Sequence, residues 1–373
     1  QILNKTLEIA QELGFSEVLA EYEQGDDWQI RFSNSSQDIF KRWELEKLEI
    51  FLVKEGKTTE LEIKSPSIEE IRKKLTEAES FLEHSPKSQF YKGMESEVQA
   101  LPKIESLYDS RIKSFHTQAP EFVSDAIHSA LEAGAKNVAG VLYFGSSNLT
   151  LKTSYGFEHD FDTSYYRSTI RSFVNAESSG QDILVGRSLD NFKQKLITSG
   201  EKSGKIAKMA KNPQAGKAGT YDVILSPTVA ANIFGQITDA ANPLLIMLGW
   251  SPLQGKINEK IGISGLNIYN DSLISEGLHS RPFDAEGTPT QRFPLIEDGT
   301  FVNMVHNTSS AKMADKKSTG NSMLMSFGAG SKILAPYATN VVYSPGDFSR
   351  EEIFQEAKKP TIYIRSEEHT SEL

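Results

Sequence analysis

The chain has 373 residues, 38 % hydrophobic and 24 % charged, with a net charge of −10 and no cysteine. This mixture suits a globular chain long enough for two domains and excludes a disordered or fibrous one. Without cysteine there is no disulfide, thiol nucleophile or cysteine-built zinc site within these residues, which fits a reducing compartment.

No basic run is interleaved with aromatics, so nucleic acid is not an expected partner. The longest apolar run, 243–249, is far shorter than the roughly 20 residues that span a bilayer, so no membrane is expected either. No basic segment followed by an apolar one opens the chain, so no signal peptide is visible and a cytoplasmic location is expected. The first residue is Gln1 rather than Met, so the natural start is expected upstream.

Leu3, Leu7, Ala10 and Leu13 fall at helical spacing and predict a first helix, stopped by Gly14. Strands are expected over 18–22 and around 30–32, with a turn at Gly25-Asp-Asp27 between them. Alternation over 48–53 and 60–63 with Glu55-Gly56 between predicts a hairpin. Ser67 and Glu70 have capping-box spacing ahead of a helix whose expected buried stripe is Ile68, Ile71, Leu75 and Ala78. Residues 84–118, polar and holding Pro86 and Pro102, read as a connection with a helical piece.

The opening pattern then returns. A helix is expected over 120–133, stopped by Gly134, then strands over 138–144 and 149–153 around Gly145-Ser-Ser-Asn148, and a long strand over 164–174. Helix, glycine, strand and hairpin thus occur near 1–63 and near 119–175, which suggests an internal duplication. Residues 192–210 read as helical, and 211–219, rich in Gly, Pro and Lys, as a linker. An apolar strand is expected over 221–225. Ser226-Pro227 then opens a helix, since Ser can cap and Pro tolerates the first helical position. From Ile263 on, short strands and glycine-rich turns dominate.

The expected fold is α+β in two domains: a helix-and-sheet N-terminal domain over 1–212, then a mainly β C-terminal domain over 218–364. Residues 365–373 read as a DNA-sequencing adapter translated in frame, so the natural chain is expected to continue differently beyond 364, and His369 carries no meaning.

Chemistry-bearing residue types concentrate in four stretches: Leu225-Ser-Pro-Thr-Val-Ala-Ala231, Phe283-Asp-Ala-Glu-Gly-Thr-Pro-Thr-Gln-Arg292, Leu295-Ile-Glu-Asp-Gly-Thr300 and Ser318-Thr-Gly-Asn321. Asp284 and Glu286 are a candidate acid–base pair, though within a Gly/Pro turn hydrogen bonding to nearby backbone N–H groups competes with that role. Ser318 and Thr319 are nucleophiles only if a base stands nearby, and loop shaping competes. Glu158-His159-Asp160 flanks an imidazole with carboxylates, yet consecutive strand residues point apart. His84, His116, His128, His279 and His306 are scattered, none with another histidine at metal-ligand spacing.

In this order the stretches resemble the TldD/PmbA (peptidase U62-like) family, and the resemblance extends over nearly the whole chain. Gly156-Phe157, the aromatic strand through Tyr165-Tyr166, and Gly186-Arg187 fit the middle of that pattern. The family has a TldD kind, with a zinc helix patterned His-Glu-x-x-x-His and a further late ligand resembling Cys, and a PmbA/TldE kind without that motif. Aligned from Pro227, the zinc-helix positions here are Asn232, Ile233 and Ile237, and no histidine occurs between His159 and His279. Val229, Ile233, Phe234 and Ile237 then read as an apolar side packed on a core.

The resemblance implies a non-catalytic PmbA/TldE-like subunit of a heterodimeric metallopeptidase. It implies no cofactor in this chain, zinc in a TldD-like partner subunit, and short or unfolded peptides as substrates for proteolysis. Residues expected near a peptide groove are Asp284, Glu286, Gly287, Thr288, Ser318, Thr319, Gly320 and Asn321, with the glycine-rich loop Ser326-Phe-Gly-Ala-Gly-Ser331 and open sheet edges suited to strand addition. Two other readings are a stand-alone homodimeric peptide-binding module and an enzyme with an unrecognised site.

Overall fold

Period-two alternation builds the first half of the molecule. In the computed structural model, which describes residues 1–327, 331–357 and 359–365, helix α1 (Ile2–Glu12) leads into strands β1 (Glu17–Ser33), β2 (Ser36–Lys54) and β3 (Lys57–Lys64), then helix α2 (Ile68–Glu83). A connection ending in a 3₁₀ turn (Ser110–Thr117) leads to the same order again: α3 (Ala119–Glu132), β4 (Asn137–Thr153), β5 (Glu158–Asn175), β6 (Ser178–Gly186) and α4 (Phe192–Met209). The six strands form one antiparallel sheet ordered β3-β2-β1-β4-β5-β6, so the two units meet at the β1–β4 pair. Glu55-Gly56 turns β2 into β3 with both residues at positive φ, as a two-residue hairpin requires.

The 17 residues of β1 reach about 56 Å at ~3.3 Å per residue, enough for two helical layers side by side on one face. Val18, Ala20, Leu48, Ile50 and Leu52 pack under α1 and α2. Ile30, Phe32, Val138, Leu142 and Phe144 pack with the 3₁₀ turn, α3 and α4. The intervening residues face the other way: Leu19, Phe51, Val53 and Leu151 meet Phe157, Phe283, Ala285 and Leu334. The sheet is therefore apolar on both faces at its α1/α2 end, and the second half of the chain covers the face that the helices leave. Each such side chain contributes roughly 1.5–3 kcal/mol when fully buried.

The second half contains β7 (Asp222–Leu225), α5 (Pro227–Phe234), α6 (Ile237–Ala240), α7 (Pro243–Met247), β8 (Ile268–Asp271), β9 (Arg292–Glu297), β10 (Thr300–Phe301), α8 (Thr308–Met313), β11 (Ser322–Phe327), β12 (Ser331–Pro336), β13 (Val341–Tyr343), α9 (Arg350–Glu356) and β14 (Thr361–Ile364). They form a four-stranded sheet β10-β9-β8-β13, an antiparallel pair β11-β12 and a parallel pair β14-β7. The whole is an α+β arrangement in two parts. No helix among the described residues is long and apolar enough to cross a membrane. Of the glycine-rich loop at 326–331, residues 328–330 lie outside the described residues. So do 366–373 of the tail, including position 369.

Several expectations need correction. The turn at Gly25-Asp-Asp27 and the break at 145–148 are both mid-strand: Gly25 faces Ser147 and Gly145 faces Asp27 across β1–β4. A Cβ on Gly25 would lie 2.2 Å from the Ser146 carbonyl oxygen, and one on Gly145 would lie 2.3 Å from Asp27 Oδ1. Glycine there permits close approach of two strands rather than a reversal. Asp26 and Asp27 stay extended because Arg42 and Tyr165 hold them from neighbouring strands, so tertiary pairing overrides local turn preference.

Ile68 is exposed at the first turn of α2, whose buried stripe is Ile71, Leu75, Ala78 and Leu82. Ser67 caps that helix by accepting from the Glu70 N–H at 3.2 Å. The helix expected beyond Pro227 is interrupted: α5 ends before Gly235, and only Val229 of the expected apolar side is fully buried. Ile237 packs partly against the Leu253–Leu295–Phe301 core. Ile233 and Phe234 are 46 % and 49 % exposed, with the Phe234 ring against Tyr343 at the edge of that core.

Candidate functional site

The loop Phe283-Asp-Ala-Glu-Gly-Thr-Pro-Thr-Gln-Arg292 folds around one carboxylate. Asp284 Oδ1 accepts from the N–H groups of Glu286 and Thr288 at 2.9 and 3.0 Å, and Oδ2 accepts from the Ser322 N–H at 2.8 Å. Glu286 reaches on to α8, where Oε2 accepts from the Thr308 N–H at 3.0 Å. Gly287 has φ +82°, and a Cβ there would sit 2.8 Å from the Phe157 ring. That close approach links the Glu-Gly-Thr-Pro-Thr-Gln element to Gly156-Phe157. Glu297-Asp-Gly299 turns β9 into β10, with Asp298 and Gly299 at positive φ.

Ser318-Thr-Gly-Asn321 closes on His306. The Thr319 N–H donates to the His306 carbonyl at 3.1 Å, and Thr319 Oγ1 accepts from the His306 N–H at 2.7 Å. Ser318 Oγ also donates to the His306 carbonyl, at 3.3 Å. Asn321 is buried and donates to the Tyr337 carbonyl at 2.9 Å. Gly320 (φ +69°) lies against Pro289, whose carbonyl oxygen a Cβ would approach to 2.2 Å.

Asp284 and Glu286 are each 1 % exposed. Burial pushes the Asp284 carboxyl up to about 6, against the Ser322 N–H, the Arg281 guanidinium and the other two backbone donors. Burial and then the Asp284 charge push Glu286 up to about 8. At neutral pH Asp284 is the ionised member, as three N–H donors require, and Glu286 keeps its proton. Arg281 donates to the Ser322 carbonyl at 2.9 Å within the same cluster. The pair is sealed from solvent and braces three loops from inside.

Above this layer is a cleft of about 770 Å³. Glu95, Glu97 and Gln99 line it from the connection after α2. Lys312, Lys316 and Lys317 line it with Ser318 and Thr319 from α8 and the loop beyond, and Thr288, Pro289, Thr290, Gln291, Thr308 and Ala311 complete the lining. The connection is fixed over it. Tyr91 Oη and the Met94 N–H donate to Glu17 Oε2, the Lys92 N–H donates to Ser309 Oγ at 2.9 Å, and Lys312 Nζ donates to the Met94 carbonyl at 3.2 Å. Of the groove candidates, Thr288, Ser318 and Thr319 line this cleft. Asp284, Glu286 and Asn321 are buried, and Gly287 and Gly320 are spent on close backbone contacts.

Sequence reading missed both sets of charges. The glutamates sit in a polar stretch that reads as solvated linker. Lys316-Lys317 immediately before Ser318 was the available signal.

The positions aligned with a zinc helix do not fit the metal. Isoleucine at 233 and 237 offers no donor atom, and the side chain of Asn232 supplies no imidazole. Among the described residues, the cluster of three metal-capable carboxylates is Glu49, Glu60 and Glu62. Lys332 Nζ already contacts all three. Four of the histidines are individually engaged. His116 stacks on Trp28, His128 pairs with Glu132, His159 lies beside Phe157, and the His306 ring meets Ser310 Oγ at 3.1 Å. Burial, then the Lys316 charge, pushes His306 down to about 4, so its ring is neutral.

Residues 218–370 match the PmbA/TldA metallopeptidase C-terminal domain. A metalloprotease of Methanothermobacter thermautotrophicus is 25 % identical over 264 residues, 66 % of this chain and 54 % of that protein. Metalloprotease PmbA of Escherichia coli O157:H7 is 27 % identical over 145 residues, 34 % of this chain and 32 % of that protein. The matches span about half the length of the first relative and about a third of the second. The crystal structure of TldE from Thermococcus kodakarensis has the same fold, with a TM-score of 0.83 at 17 % identity over 97 % of this chain and 82 % of that one.

Proposed function

The chain belongs to the PmbA/TldD family, and from that membership we propose that it is the non-catalytic, TldE-like partner of a TldD-like zinc metallopeptidase subunit. The observation that carries the proposal is the α5–α6 segment. Where the zinc-bearing kind places its histidines and glutamate, this chain has Asn232, Ile233 and Ile237, with Ile233 and Phe234 half-exposed. An exposed apolar face there suits contact with another chain better than hydrolysis, because isoleucine neither holds a cation nor takes a proton from water.

On this reading the heterodimer works in the cytoplasm on short or unfolded peptides. The partner supplies the zinc and the hydrolysis, and this chain helps hold the peptide. The cleft beside Thr288, Ser318 and Thr319 is the groove, and the two-stranded ladders β11–β12 and β7–β14 suit backbone pairing with an extended peptide. The test is peptide hydrolysis by the zinc subunit with and without this chain. A faster or more complete digest with the chain present is expected; equal rates overturn the reading. Stoichiometric zinc in the purified chain, with peptidase activity of its own, also overturns it.

A further inference from the structure

We propose that the cleft between residues 95–99 and 311–319 takes a short zwitterionic peptide by its two free ends, the terminal ammonium on Glu95 and Glu97 and the terminal carboxylate on Lys316 and Lys317. This rests on the peptide-holding role proposed above and adds the chemical class of the ligand.

The cleft carries two banks of charge from separate segments of the chain, carboxylates at Glu95 and Glu97 and ammonium groups at Lys312, Lys316 and Lys317. Among the described residues, no ion pair closes between the banks. Glu95 Oε1 accepts from the backbone N–H groups of Ser96 and Glu97, at 2.9 and 3.1 Å, and Lys312 donates to the Met94 carbonyl. A ligand of single charge meets repulsion from one bank, whereas a molecule with opposite charges at its two ends satisfies both.

The lining between the banks supplies hydroxyl groups. Ser318 and Thr319 are partly exposed there, and each hydroxyl oxygen already accepts one backbone N–H and keeps a second lone pair for a peptide N–H. The volume of about 770 Å³ lies within the range of roughly 300–1,000 Å³ typical of small-ligand sites, which fits a few residues rather than a folded partner. The connection bearing the glutamates is tied down at Tyr91, Lys92 and Met94, so the acidic bank is preorganised.

Isothermal titration of the full chain with trialanine, N-acetyl-trialanine and trialanine amide tests this, because these peptides have no charged side chains. Each block is expected to weaken binding roughly twofold to fivefold, the size of a partly exposed charge contact. Acetylation should make no further difference in a Glu95→Gln/Glu97→Gln variant, and amidation none in a Lys316→Gln/Lys317→Gln variant. Equal affinity for free and blocked peptides overturns recognition of the ends but leaves the holding role in place. Failure of all three peptides to bind the wild-type chain also overturns the inference, and the holding role is then decided by the hydrolysis assay with the zinc subunit.

Discussion

The Arg187 guanidinium donates through Nε to the Gly277 carbonyl at 2.7 Å, joining the end of β6 to a loop of the second half. Its other nitrogens donate to the carbonyls of Leu107, Ser164, Leu278 and Ser280 and to Thr163 Oγ1. Burial pushes its pKa down to about 10, so the fan of acceptors is what keeps this cation inside the protein. Lysine cannot reproduce a planar fork across that many oxygens. Arg187→Lys and Arg187→Met should each lower stability on the order of 3 kcal/mol, read as a lower urea midpoint. An unchanged midpoint would show that the joint between the two halves lies elsewhere.

Glu286 binds its proton more tightly in the folded chain than in the unfolded one, since its pKa is raised from 4.5 to about 8. Its contribution is therefore fully present below about pH 4.5 and is lost as pH rises through about 8. Glu286→Gln stays neutral and can still accept from the Thr308 N–H. Denaturation midpoints across this window should fall more steeply for the wild-type chain than for the variant. Parallel curves would place the proton elsewhere.

Asp284→Asn should behave in the opposite way to that glutamine exchange. Both Asp284 oxygens accept from backbone N–H groups, so an amide must point its NH₂ at at least one donor. A loss of about 2–3 kcal/mol at neutral pH is expected in chemical denaturation. Wild-type stability in this variant would mean that the three N–H contacts are not holding the loop.

The elements most legible in the sequence were those whose signals are local. The Glu55-Gly56 hairpin, the Ser67 and Ser226 caps and helix α4 all follow from a few adjacent residues. The Gly25-Asp-Asp27 turn failed because its composition serves a contact with β4, which lies more than a hundred positions away in the chain. The site divides in the same way. Thr288, Ser318 and Thr319 were visible as motifs. Glu95 and Glu97 became part of the cleft only through the Lys312–Met94 and Lys92–Ser309 contacts, which no spacing rule encodes. The half-exposed Ile233 and Phe234 show the reverse error: apolar periodicity marks a face, but not what covers it.

Lys332 Nζ contacts Glu49, Glu60 and Glu62 where β12 meets β2 and β3. Burial alone would raise the Glu49 carboxyl, but hydrogen bonds from Lys332 and Lys47 outweigh it and hold the pKa below its ordinary value. That contribution to stability is present above the unfolded carboxylate pKa and lost as pH falls. Lys332→Met should cost on the order of 2 kcal/mol at neutral pH, less than the roughly 3–5 kcal/mol for a fully buried pair, because Lys332 is 24 % exposed. The variant should recover as pH falls, since three facing carboxylates then take up protons. It should also gain thermal midpoint from added calcium, which the wild-type chain should not. Calcium stabilising both proteins equally would show binding elsewhere.

Gly320 joins the Ser-Thr-Gly-Asn element to the wall of the cleft, and its role is steric. Its φ of +69° disfavours any side chain, and the Pro289 carbonyl oxygen stands 2.2 Å from where a Cβ would be. Gly320→Ala must move either the 318–321 loop or the 286–291 loop, and both line the cleft. The conformational penalty alone is about 1 kcal/mol, and the contact with a backbone oxygen adds to it, so a total loss of roughly 2–3 kcal/mol is expected. Arg187→Lys is the control, since it costs a similar amount of stability at the joint between the two halves and does not line the cleft. If both variants lose trialanine binding in proportion to their stability loss, the loop is only a structural brace. If Gly320→Ala alone loses binding beyond its stability loss, the approach of Gly320 to Pro289 sets the shape of the cleft.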